Sequence, residues 1–396
     1  MTDPAAGLAA RLIQLTPRFR PDVDGLGECA LSLADALEQF HGVRSHFVVA
    51  NPLRPEQELD APAEGPHTIT RLAAPGATAL NRELDRLLAE SAMPPVLLLH
   101  YVGYGYSREG IPFWLLGCLD RFRGRGGRVA TLFHELYAHG SFPSKTFFAS
   151  ALQRRIFRRL LALSDAAFTS NEVFLAQMKA ADRAGDQARR PVSLIGICSN
   201  VGEPERPRPF AERKRRLAVF GRFATRRHLY QRHGAALLAV ARHLGIEEIA
   251  DIGPVEDAEW MESNVGVRFG ALLRIYGALP AAEVSVLLDD SMVGAVSNPY
   301  SLAGKSGVVA AYQAHAVGVL LFPYGDEVEP RELADSAGGW ALSTEELLAQ
   351  PAGSHALRER MAQAAAAGHR HYRHFRSARA MAETLLPALR TIRLAP

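Results

Sequence analysis

Two short stretches concentrate the residues whose types and spacing could do chemistry. In NPYSLAGKSGVV, Gly304, Lys305, Ser306 and Gly307 open the apolar run Val308, Val309, Ala310, Ala311, Tyr312, which reads as a helix. First-turn amides of such a helix lack partners and its dipole is positive there, so an anion suits the position. The phosphate loop of nucleoside triphosphatases is excluded. It requires a glycine five positions ahead of the Gly-Lys-Ser, and Pro299 stands there. On these residues alone, a solvated lysine beside an ordinary helix cap is the alternative.

The second stretch is TLFHELYA, where His134 and Glu135 end a β-type run. An ionisable pair at a strand end is suited to acid/base or substrate-orienting work; a His-Glu pair that merely holds a loop is the other reading. Zinc is not indicated, because Ala138 occupies the second histidine position of HExxH and His139 does not complete the motif. His100 ends PPVLLLH and either lines the same place or sits in the core. Tyr101, Tyr104 and Tyr106, with glycines among them, either stack on a sugar ring or cover a sheet edge. Ser170 and Asn171 follow the run DAAFT at a further strand end, and Asp289 with Asp290 reads as a solvated helix face rather than an Asp-x-Asp metal motif.

These groups need a frame to position them. A chain of 396 residues is too long for one typical core and suggests two domains. No run reaches the roughly 18 apolar residues of a membrane helix. The start MTDPAAGLAARLIQL has neither a basic beginning nor an apolar signal core, so export is not expected. Cys29, Cys118 and Cys198 are odd in number and far apart, which fits buried thiols in a reducing cytoplasm. A net charge of +3 does not point to nucleic acid. Arginine pairs do recur at helical spacing in Gln153, Arg154, Arg155, Ile156, Phe157, Arg158, Arg159, giving either a helix that rests on an anionic membrane or a solvated face.

Through the first half, short β-type runs alternate with helical stretches: RLIQLTP, a helix over Gly27–Gln39, RSHFVVAN, PPVLLLHYVG, GRVATLFHEL, DAAFTSN and PVSLIGIC. That alternation predicts a mostly parallel sheet with helices on both faces. SNVGEPERPRPFAERKRR, rich in Pro and charge, reads as a linker over 199–214. A second alternating series follows, from LAVFGRF to VGVLLFP, and the last part reads as helix. The expected domains are 1–198, 215–375 and a closing helix, 376–396, that returns to the first domain. Two α/β halves of this kind collect their strand-end loops at a cleft.

Several ordered landmarks carry a resemblance. PRFRPDVDGLGECALSLADAL, with Gly25 and Gly27 in a glycine loop, is followed by LLLHYVGYGY, TLFHELYA, VFGRFATRRH and RIYGALPAAEVSVLLDDSMVGAVSNP. In this order they resemble the two-domain GT-B glycosyltransferases, in particular the family 4 type (glycosyltransferase group 1), which retains configuration and uses nucleotide-diphosphate sugars. The resemblance implies an α/β GT-B fold of two Rossmann-like domains facing across a central cleft. It matches Arg222 to the family's donor-site arginine and Arg227 approximately to its lysine. With Lys305, Ser306 and Gly307, these would hold the donor diphosphate, without a metal or other cofactor. His134 and Glu135 would be the catalytic groups, with His100 and Tyr101 in the cleft.

The departure lies in the stretch named first. The family places two glutamates there, eight residues apart, and this chain has Ala303 and Ala311. The expected activity is transfer of a sugar to a glycan, lipid-linked or small-molecule acceptor, in polysaccharide biosynthesis, in the cytoplasm or at the inner face of the membrane, without nucleic acid. Two alternatives stay open: a non-catalytic pseudo-glycosyltransferase that binds or partners, and a GT-B sugar-nucleotide epimerase.

Overall fold

The computed structural model describes residues 12–20, 25–51, 65–138, 145–183, 190–324 and 339–394; His139 lies outside them. The chain forms two compact units, one of residues 1–196 with 378–396 and one of 197–377. Both are α/β, each built on one all-parallel sheet.

In the first unit, β1 (Leu12–Thr16), β2 (Ser45–Val49), β3 (Thr68–Arg71), β4 (Val96–Tyr101), β5 (Arg128–Phe133), β6 (Ala166–Thr169) and β7 (Val192–Leu194) lie in the order β3-β2-β1-β4-β5-β6-β7. The helices are α1 (Gly25–His41), α2 (Ala77–Glu90), α3 (Phe113–Gly124), α4 (Lys145–Leu163) and α5 (Glu172–Arg183). Every residue of β4, VLLLHY, is buried, as a parallel strand covered on both faces must be. Helix α2 buries Leu80, Leu84 and Leu87, one stripe at helical spacing. The C-terminal helix Ala378–Leu394 packs on α1.

In the second unit, β8 (Lys214–Phe220), β9 (Glu248–Ile252), β10 (Leu273–Gly277), β11 (Ser291–Ser297), β12 (Gly318–Phe322) and β13 (Ala341–Leu342) lie in the order β10-β9-β8-β11-β12-β13. Here the main helices are α6 (Phe223–His243), α7 (Ala281–Asp289), α8 (Gly307–Ala314) and α9 (His355–His371). Strand alternation sorts the core. Leu217, Val219, Val293, Ala295, Leu320 and Phe322 join one cluster, while Ala218, Val296, Val319 and Leu321 join the other.

Segment 199–214 is not a free linker but part of the second unit. The Ser199 amide donates to Tyr372 Oη at 2.8 Å, and buried Arg213 donates to the carbonyls of Arg208, Ser291 and His315. Arg208, Arg213 and Lys214 of this Pro- and charge-rich stretch are bonded to groups of the second unit. Asp289 and Asp290 belong to the same network, Asp289 accepting the Arg208 amide and Asp290 pairing with Lys214 and Arg208. The three cysteines are free and buried. Among the described residues no helix is long and apolar enough to cross a membrane.

In each unit the strand order reverses once, between β1 and β4 and between β8 and β11. Sheets of this class bind ligands at the carboxyl ends of the strands beside such a reversal.

Candidate functional site

At the β8–β11 reversal, β8 is followed by Gly221, whose φ is 131° and whose added Cβ would lie 3.1 Å from Val308 Cγ2. The turn therefore needs glycine, both for the positive φ and to approach the first turn of α8. Arg222 follows as the N-cap of α6. Its side chain is exposed, and no hydrogen bond or ion pair holds its guanidinium among the described residues.

Helix α8 begins opposite. Ser306 caps it, its Oγ accepting from the Val309 amide at 3.3 Å. The amides of Gly307 and Val308 precede the first intrahelical bond, Ala310 N to Ser306 O, and are left for a ligand. A Cβ at Gly307 would meet nothing within 4 Å, so the space before those amides is open. An exposed arginine thus follows the glycine turn that packs on the first turn of α8, and exposed guanidinium groups, helix-start amides and a helix dipole each suit a phosphate group.

The crevice is held rigidly. Tyr312, fully buried on α8, donates to the carbonyls of Ala218 at 3.0 Å and Ala295 at 3.1 Å, and accepts from the Phe220 amide at 3.0 Å. One hydroxyl thereby ties α8 to both strands of the reversal. Its ring lies on Gly294, where a Cβ would come within 2.6 Å. Below Gly221, buried Arg226 donates to the Gly221 carbonyl at 3.0 Å and also bonds Asp251 and the Pro254 carbonyl; Asp251 accepts from Tyr230 Oη at 2.7 Å.

Arg227, expected to face the donor, pairs with Asp257 at 3.2 Å and lies over the Trp260 ring at 4.6 Å. Its charge is matched locally, which leaves Arg222 as the uncommitted cation. Lys305 ends the 3-10 turn Tyr300–Lys305, directly before the cap. Ala303 and Ala311 are 1% and 0% exposed, inside the apolar cluster with Val309 and Leu321. Both positions are core.

At the β1–β4 reversal, Gln14 on β1 bonds Ser45 Oγ and His100 Nε2, each at 2.8 Å, and His100 Nδ1 lies 3.4 Å from His134 Nε2. The two rings are 5.6 Å apart and tilted by 20°. His100 is fully buried; burial first, then the charge on His134, holds it well below the usual imidazole pKa. It is therefore a neutral support. His134 follows β5 and is half-buried, its amide donating to the Tyr101 carbonyl at 3.1 Å, and Glu135 is exposed. Tyr106 mirrors Tyr312: its buried hydroxyl donates to the carbonyls of Leu15 and His100, each at 3.0 Å, across β1 and β4.

Several expectations change. Tyr101 lines no opening: it is 1% exposed, edge-on to Phe133, and burial with the nearby Glu135 charge pushes its phenol pKa up. His100 likewise is fully buried, with its Nδ1 against His134. Tyr104, 47% exposed, is the accessible ring of that run. Gly25 and Gly27 stand in the first turn of α1 rather than in a loop, and a Cβ at Gly27 would come 2.9 Å from the Arg18 carbonyl. Asn171 caps α5, accepting from the Phe174 amide at 3.0 Å. The sequence did not single out Gln14, Tyr312 or Arg226; the polar Gln14 inside the apolar run LIQLT was a signal available for the first.

No protein-family model matches the sequence, and no curated protein matches it. Solved structures do. An α,α-trehalose-phosphate synthase (UDP-forming) from Burkholderia vietnamiensis superposes with a TM-score of 0.61 at 16% identity, covering 97% of this chain and 98% of that one. A sucrose-phosphate synthase from Thermosynechococcus elongatus gives 0.61 at 14%, covering 97% and 99%. A putative UDP-N-acetylglucosamine 2-epimerase from Listeria monocytogenes gives 0.56 at 12%, covering 96% of each. The fold is that of the GT-B glycosyltransferases.

Proposed function

We propose that the chain is a glycosyltransferase that moves a sugar from a nucleotide-diphosphate sugar to a glycan, lipid-linked or small-molecule acceptor, with retention and without a divalent metal. The bond between sugar C1 and the diphosphate oxygen breaks, its electron pair leaving with the diphosphate. A bond forms from C1 to the acceptor hydroxyl oxygen as that hydroxyl gives up its proton, to the leaving diphosphate oxygen in the retaining reaction and to Glu135 in an inverting one. Charge building on the leaving diphosphate is best stabilised by cations and amides already in place. The observation that carries the reading is Arg222, exposed and uncommitted beside a glycine turn that touches the open first turn of α8. Lys305 and the Gly307 amide complete the donor side. In a retaining reaction His134 orients the sugar; in an inverting one Glu135 is the base.

The same reading places the protein in the cytoplasm and at the inner face of a membrane, with no nucleic-acid partner. Support for the membrane contact is a groove of about 570 Å³ between α3 and α4, lined by Phe113, Leu116, Asp120, Arg155, Arg158 and Arg159, in which Asp120 pairs with Arg159 and leaves Arg155 and Arg158 as the cations. Phe113 is 44% exposed, an apolar anchor beside cations.

The buried Ala303 and Ala311 favour a second reading, a pseudo-glycosyltransferase that binds the nucleotide without turnover, and the epimerase remains a relative by fold. Incubation with UDP-, GDP- and ADP-sugars and a panel of acceptors separates them. Release of the nucleoside diphosphate with a glycosylated product supports transfer, and conversion to an epimeric sugar nucleotide supports epimerisation. Binding of one nucleotide with neither product supports the second reading.

A further inference from the structure

Arg376 is 1% exposed, in the irregular helical turn Tyr372–Arg376. Its Nη2 donates to the Ser306 carbonyl at 3.0 Å, its Nη1 to Gln313 Oε1 at 2.9 Å and its Nε to the Ile197 carbonyl at 3.3 Å. All three acceptors are neutral. Glu203 accepts from Tyr372 Oη at 2.7 Å, and among the described residues no carboxylate is hydrogen-bonded to the Arg376 guanidinium. Burial pushes the Arg376 pKa down to about 10, so the group remains a cation at neutral pH. A buried charge is costly unless something opposite compensates it, and neutral donors could satisfy the same carbonyls without that cost.

One of those bonds identifies what the charge is for. Ser306 is the cap of α8, and the two amides that follow it precede the first intrahelical bond. The guanidinium thus stands directly behind the residue that starts the anion site, and adds its field to the helix dipole.

We propose that Arg376 is a positioning residue of the anion site on α8, fixing the Ser306 cap and finding its counter-charge in the phosphate bound at the Gly307 and Val308 amides. This rests on the donor-site reading above. The same side chain bonds Ile197, the first residue of the second unit, and stands one residue before Ser377, the last before the chain returns to the first unit.

The test uses the full chain, inorganic pyrophosphate and orthophosphate as probes, and the variants Arg376→Lys and Arg376→Gln, with calorimetry and thermal melting. Wild type is expected to bind pyrophosphate, Arg376→Lys to stay within about threefold of it, and Arg376→Gln to weaken on the order of tenfold. The loss should be larger for pyrophosphate than for orthophosphate, because it follows ligand charge. A merely structural role would lower the melting temperature and weaken both probes alike, and that result overturns the proposal. Equal pyrophosphate affinity in wild type and Arg376→Gln also overturns it while leaving the donor-site reading intact. No binding of either probe by wild type sinks both. If Arg376→Gln does not fold, Arg376→Lys decides: retained affinity supports the proposal, and a tenfold loss with the charge still present overturns it.

Discussion

Gly221 just after β8 and Val308 in the first turn of α8 are packed so closely that a Cβ on the glycine would lie 3.1 Å from Val308 Cγ2, with the glycine φ at 131°. Gly221→Ala must therefore adopt a disfavoured φ and push Val308 aside. Strain of this kind costs about 1–3 kcal/mol. The expected outcome is a lower melting temperature together with weaker nucleotide binding, since the displaced residue carries one of the anion-facing amides. A variant melting and binding like wild type would show that the turn is not constrained as described.

Gly307 allows affinity to be separated from stability. A Cβ there would meet nothing within 4 Å, and a carboxylate in the first turn of a helix is favourable by a few tenths of a kcal/mol or more. Gly307→Glu should keep the melting temperature and abolish nucleoside-diphosphate binding by charge repulsion. Retained binding, measured by calorimetry, would place the phosphate elsewhere.

His100 sets a pH dependence. Burial, and then the charge on His134, holds its folded pKa well below the usual imidazole value of about 6.5. Below about pH 6.5 the unfolded chain then binds a proton that the folded chain does not, so stability present above that pH is lost as pH falls. Other histidines, among them His315 and His369, are shifted in the same direction, so the comparison must be with a variant. The melting temperature of wild type should fall between pH 7 and 5, and more gently in His100→Gln. Identical pH slopes would mean that His100 is not the buried neutral group described.

Much of the frame was legible in the sequence. Unbroken apolar runs such as VLLLHY and GVLLF are what strands buried on both faces require, and the cap at Ser306 follows from a hydroxyl ahead of an apolar run. What could not be read were the bonds between residues far apart in the chain. Tyr312 bridges Ala218 and Ala295, and Arg376 reaches Ser306 and Ile197; in sequence each is an unremarked residue in a helix. Tyr101 was misplaced for a related reason. A strand-end aromatic points to the core or to the ligand according to a register that only the folded sheet fixes.

For the groove between α3 and α4, the double variant Arg155→Glu, Arg158→Glu should lose co-sedimentation with vesicles containing phosphatidylserine. Each surface arginine contributes about 1 kcal/mol to binding of an anionic bilayer, and charge reversal removes more. Wild type bound equally to purely phosphatidylcholine vesicles, or the variant bound as well as wild type, would remove the membrane contact from the account.

The most direct test of the central claim is calorimetry of UDP, GDP and ADP with wild type and Arg222→Ala. The account predicts that one of the three diphosphates binds, and that loss of this uncommitted guanidinium weakens it on the order of tenfold or more, as expected for a charge-assisted contact to phosphate. Wild-type affinity in the variant, or no binding by any of the three, would contradict the assignment of the donor diphosphate to the crevice between Arg222 and the start of α8.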